Sequence, residues 1–69
     1  MSVEKSIDLA ATGPTIEDAV AQAVGRAGLT IRGIKSFEVV DIEGTVDSDE
    51  LQYRVLVRIW FVVKEQVHE

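Results

Sequence analysis

Carboxylates are the most plentiful reactive groups in this 69-residue chain, which carries twelve Asp and Glu against seven Lys and Arg, a net charge of −5. Glu38, Asp41 and Glu43 fall within one short stretch, and Asp47, Asp49 and Glu50 crowd another. Calcium and magnesium take oxygen ligands, and a symmetry axis can gather several copies of a single carboxylate. Glu38, Asp41 and Glu43 are therefore the candidate metal ligands. The stretch from Asp47 to Glu50 lacks the ligand spacing and the glycine of a calcium loop, and reads as a solvated turn.

Other chemistry has little to work with. There is no cysteine and one histidine, His68, next to the last residue of the sequence. Disulfides and thiolate zinc sites are thus excluded, and a histidine-based structural metal is not expected. A nucleophile needs a base beside it, and a carboxylate pair needs a cleft. Neither is in sight, so the chain is not expected to be an enzyme. Nucleic-acid binding requires a basic face that displaces counterions, and seven scattered cations do not make one. Residues 1–5 lack the apolar stretch of a signal peptide, and no apolar run is long enough to span a bilayer. A soluble cytoplasmic protein without a membrane partner is the expectation.

The elements that must position these residues follow from periodicity. From Val3 to Ala11 the chain alternates, with Val3, Lys5, Ile7, Leu9 and Ala11 on one face and Glu4, Ser6 and Asp8 on the other, as in a half-buried strand. Thr12-Gly13-Pro14-Thr15 interrupts it. Thr15 can cap a helix, with Glu17 and Asp18 suited to the positive end of its dipole. Ile16, Ala19, Val20, Ala23, Val24, Ala27 and Ile31 then recur at helical spacing. The end of this helix is expected between Gly28 and Gly33, with Gly33 favoured as the left-handed stop.

Two long strands complete the chain. Ile34 to Val46 places Phe37 and Val39 on one face and Ser36, Glu38 and Val40 on the other. Leu51 to Lys64 places Tyr53, Val55, Val57, Ile59, Phe61 and Val63 on one face, with Arg54, Leu56, Arg58, Trp60 and Val62 opposite. A strand face turned to water should be polar. Leu56, Trp60 and Val62 are not, and apolar patches of this kind mark interfaces, so these three are the expected subunit contact. The whole chain, residues 1–69, reads as a single α+β domain, β-α-β-β, with a three-stranded antiparallel sheet wrapped around one helix. A chain of this length buries only about 60% of its unfolded surface. Without disulfides or a structural metal, partner subunits must supply the rest.

The order of elements, Thr12 in the first turn, Arg26-Ala27 in the helix, Phe37-Glu38-Val39-Val40-Asp41 after it, and Tyr53, Val55 and Phe61 in the last strand together resemble the dodecin family. The resemblance covers nearly the whole chain. It implies a hollow homododecamer that binds flavin (FMN or riboflavin) non-covalently, for storage or quenching. It also implies ligand-binding positions at Ser36, Asp41 and Arg54. In the family a tryptophan directly precedes the Phe-Glu-Val-Val segment and stacks on the flavin, and a glutamine directly follows the tyrosine of the last strand. Here Ser36 and Arg54 stand at those places. Serine offers no ring, and arginine donates without accepting, so flavin binding is expected to be weak or lost. Some dodecin-like proteins are associated with calcium, which makes a calcium or magnesium shell, or a purely structural one, the alternative. Trp60 occupies a place where the family usually has glycine or alanine. Measured along its strand it stands three intervals from Arg54, roughly 20 Å, and is not expected to replace the missing ring.

Overall fold

The computed structural model describes residues 2–64. The element order is β1 (Ser2–Gly13), α1 (Ile16–Gly28), β2 (Ile34–Asp47) and β3 (Glu50–Lys64). The strands form one antiparallel sheet in the order β1-β3-β2, with the last strand in the centre. His68 lies outside the described residues.

Alternation on β1 continues two residues past Ala11, because Thr12 and Gly13 still pair with Arg54 and Tyr53. The chain then turns into α1 at very close range. A Cβ built on Gly13 would come within 2.9 Å of the Ala19 nitrogen, so only glycine fits there. Thr15 is extended and its hydroxyl oxygen accepts from the Asp18 backbone N–H at 3.0 Å, the N-cap that its type predicts.

The far end of α1 corrects the sequence expectation. The helix stops at Gly28, the near limit of the expected range. Leu29, the cap residue, stays right-handed at φ −69°. The last turn closes instead on carbonyls within the helix, since Thr30 and Ile31 donate to the Ala27 oxygen at 3.2 and 2.9 Å. Gly33 does take the left-handed conformation, at φ +80°, but at the entry to β2. Its carbonyl there accepts from the Val62 N–H at 3.1 Å, so its positive φ begins a strand.

Strand β2 carries two register shifts against β3, one between Ile34 and Ser36 and one between Val39 and Asp41. At the second, Val40 is the extra residue of a β-bulge. Simple alternation would put Asp41 and Glu43 on the face opposite Glu38. The bulge reverses that, so Ser36, Glu38, Asp41 and Glu43 face one way and Phe37, Val39 and Ile42 the other. The hairpin closes on Ser48 and Asp49, with φ of 49° and 70°. Two successive positive φ values between paired Asp47 and Glu50 form a two-residue turn of the primed type.

The core is small. Ala19, Ala23 and Ala27 on α1 press onto Val55, Val57 and Ile59 on β3, and these six are the buried hydrophobics among the described residues. Alanine on the helix face lets its axis approach the sheet closely. Ile7, Leu9 and Ala11 of β1 border this core, together with Val20, Val24, Ile31 and Ile34. The helix therefore covers β1 and β3 and leaves most of β2 bare. The radius of gyration is 15.2 Å, against about 11 Å for a compact chain of this length.

Candidate functional site

The sheet face away from α1 carries every residue that the sequence nominates for ligand, metal or subunit contact. Strand pairing arranges them in rows across the three strands. Ser6, Trp60 and Ser36 form one row; Asp8, Arg58 and Glu38 the next; then Ala10, Leu56 and Asp41; then Thr12, Arg54 and Glu43.

Charge organises the second row. Arg58 Nε and Nη2 donate to the two Asp8 oxygens at 2.9 and 3.2 Å, a bidentate pair. Those hydrogen bonds from Arg58 hold the Asp8 carboxyl below the usual carboxylate range, and the same bonds raise Arg58. On its other side Arg58 Nη1 lies 3.9 Å from Glu38 Oε1. That oxygen also accepts from Trp60 Nε1 at 3.3 Å. Arg58 thus links the two edge strands, and Glu38 links Arg58 to the indole.

Arg54 donates from Nη1 to Glu43 Oε1 at 2.8 Å, with both side chains more than half exposed. Asp41 turns one oxygen back onto the Ile42 backbone N–H at 3.0 Å. Each candidate metal ligand therefore has an internal partner. No group of three or more His, Cys, Asp or Glu among the described residues lies close enough to hold one ion. The bulge gathers Glu38, Asp41 and Glu43 on one face of β2 without bringing them to one point within a subunit.

The register also changes the position of Trp60. Counted along β3 it is remote from Arg54. Across the sheet it is the direct partner of Ser36, and paired residues have Cβ atoms about 5 Å apart. The Trp60 indole thus stands one strand over from Ser36, on the same face. Ser36 and Arg54 lie in the first and last of these four rows, with two rows between them, so one subunit does not bring them together. Ser36 offers one hydroxyl, and the Arg54 guanidinium is already engaged by Glu43.

Leu56, Trp60 and Val62 are half-buried, and charged or polar neighbours separate them: Arg58 between them, Asp41 beside Leu56, Ser6 and Ser36 beside Trp60, Glu4 beside Val62. The longest uninterrupted apolar surface lies on the other face, which the sequence reading missed. There Phe37, Val39 and Ile42 remain 51%, 38% and 48% exposed, and Val46 and Leu51 extend the strip to the hairpin tip. The signal was present in the high apolar content of residues 37–46. It could be assigned to one face only with the bulge located.

A groove of about 320 Å³ runs between β1 and α1, lined by Leu9, Thr12, Gln22, Ala23 and Arg26, and includes none of the nominated ligand positions. No helix is long and apolar enough to cross a membrane among the described residues.

Solved structures with this fold are numerous. A Thermus thermophilus dodecin variant with one arginine replaced by alanine superposes with a TM-score of 0.88 at 31% identity, covering 94% of this chain and 100% of its own. A Mycobacterium tuberculosis calcium dodecin, a calcium-chelating antigen with a novel calcium-binding site, gives 0.78 at 30% identity, covering 97% and 99%. The dodecin of Streptomyces coelicolor gives 0.85 at 25%, covering 94% and 96%. No curated protein sequence matches. The dodecin family model matches residues 3–64, and with that match the rows of the sheet acquire a lineage: this chain belongs to the dodecin family.

Proposed function

We propose that the chain is a storage subunit that closes into a hollow homododecamer and holds a small ligand at the sheet face away from α1, with the flavin site altered. The observation that carries the reading is the pair of rows Ser6–Trp60–Ser36 and Thr12–Arg54–Glu43. Family-typical ligand positions share one face there, but Ser36 brings no ring and Arg54 is neutralised by Glu43. Ser36 and Arg54 are too far apart to grip one small molecule from a single subunit. Two copies must then contribute the two ends of the site, which is how assembly and binding become one event. The chemistry of this reading is reversible sequestration.

Titrating riboflavin and FMN into the native assembly, with flavin emission as readout, tests the ligand. Weak, saturable quenching is expected. A chain that stays monomeric at micromolar concentration and quenches neither flavin overturns the reading.

Calcium is the second reading, favoured by the bulge that turns Glu38, Asp41 and Glu43 to one face and by the calcium-chelating relative from Mycobacterium tuberculosis. Symmetry copies of these carboxylates would have to complete the coordination shell. Calcium titrated into chelator-treated protein in a calorimeter should give heat if this reading holds, and no heat removes it.

A further inference from the structure

We infer that the tip of the β2–β3 hairpin of one copy docks into the groove between β1 and α1 of a second copy, where Arg26 of the groove meets Asp47 and Glu50 of the tip. This rests on the closed-assembly reading above and names two surfaces that meet in it.

The tip lacks cover of its own. Pairing of β1 ends at Gly13 with Tyr53, whereas β2 and β3 stay paired out to Asp47 with Glu50. Three residue pairs therefore project past the third strand as a two-stranded ribbon, about 10 Å long. A ribbon of two strands is marginal in water. Its helix-side face carries the cross-strand pair Val46 and Leu51, 72% and 55% exposed, and its opposite face carries Asp47 and Glu50. Among the described residues, neither carboxylate has an ion-pair partner.

The groove has the complementary character. Leu9, Ala11 and Ala23 line it with apolar surface, and Thr12, Gln22 and Arg26 with polar groups. Arg26 is exposed and, among the described residues, also without an ion-pair partner. One wall is residues 9–12 of β1, an edge strand whose outward backbone groups face no neighbouring strand. At about 320 Å³ the groove has room for two aliphatic side chains. A tip that enters with Val46 and Leu51 on the apolar lining brings its carboxylates to the Arg26 side. Its own groove is out of reach: α1 starts beside Gly13 and runs back to the far end of the sheet, where the Gly33 carbonyl meets Val62. A second copy is therefore the occupant. Because tip and groove are different surfaces, the contact is heterologous and closes only by repeating around a ring.

Charge reversal tests the contact, with light scattering over a dilution series as the readout and circular dichroism alongside. Arg26 and Glu50 are both exposed and outside the core. Arg26→Glu and Glu50→Arg each set like charges against one another, and each should raise the midpoint concentration of dissociation about tenfold or more. The double variant recreates the pair with its signs exchanged and has the wild-type net charge of −5. It should recover most of what either single reversal loses. Single reversals that leave the midpoint unchanged, a loss confined to one of the two, or a double variant no better than the weaker single one overturns the inference and leaves the closed assembly standing. A wild type that is monomeric throughout the dilution series overturns the assembly reading itself, and this contact with it.

Discussion

On the helix side of β2, Phe37, Val39 and Ile42 stand exposed with no polar residue facing the same way between them, whereas the other side of the same strand presents Ser36, Glu38, Asp41 and Glu43. The polar side is largely satisfied within the chain: Glu38 by Trp60 and Arg58, Glu43 by Arg54, Asp41 by its neighbour's backbone. The apolar side is not, because α1 reaches only the β1–β3 half of the sheet and the six buried residues all lie there. One face therefore keeps apolar surface that the chain does not cover, and the other keeps polar groups that are already paired. Under the proposed function the first meets another subunit and the second a ligand.

The largest effect should come from breaking the apolar face. Burying a phenylalanine contributes about 1.5–3 kcal/mol per copy, and a closed assembly repeats the contribution at every equivalent contact. Phe37→Asp replaces that gain with a desolvated charge. Dissociation and loss of the circular dichroism signal together are expected. A folded, fully assembled Phe37→Asp protein by light scattering would move the subunit contact elsewhere, with Leu56, Trp60 and Val62 the next surface to test.

Deleting Val40 tests whether that residue is only the extra one. Val39 is paired with Val57 and Asp41 with Leu56, so a strand without Val40 alternates regularly and keeps Ile42 on the apolar side and Asp41 and Glu43 on the polar one. What is lost is the bend and added twist that the bulge gives β2. The expected outcome is a folded assembly with a thermal midpoint modestly below that of the wild type. Unfolding or dissociation as complete as in Phe37→Asp would mean that the curvature of β2 is needed for the subunit contact.

Much of this was legible in the residues before any coordinates. Thr15 announced its cap, Ala19, Ala23 and Ala27 the helix face, and the alternation from Tyr53 to Val63 the last strand, though not its place in the centre of the sheet. These signals are local, and each depends on spacing within one element. The missed features all depend on pairing between elements. Nothing in the run Phe37-Glu38-Val39-Val40-Asp41 says which valine is the extra residue. Counting along one strand also cannot reveal that Ser36 and Trp60 are partners, or that Asp8 meets Arg58 fifty residues away. The extent of bare surface on β2 likewise required knowing how far α1 reaches.

The smallest effect belongs to the ion pair that joins β1 to this polar face, and its sign follows from Asp8. Hydrogen bonding to Arg58 lowers the Asp8 carboxyl in the folded chain relative to its unfolded value of about 3.9. A group depressed on folding contributes stability that is fully present above the unfolded value and is lost as pH falls through the folded one. Wild type should therefore exceed Asp8→Asn in thermal midpoint above about pH 5 and converge with it at pH values below the folded carboxyl's. The pair is solvent-accessible, so the gap should be small and should shrink further in about 1 M salt. Thermal scans of both proteins at several pH values measure it. A gap that persists at the acid end would mean that the bidentate geometry, rather than the carboxylate charge, ties β1 to the sheet, and the polar face would then be held together by the same packing as the apolar one.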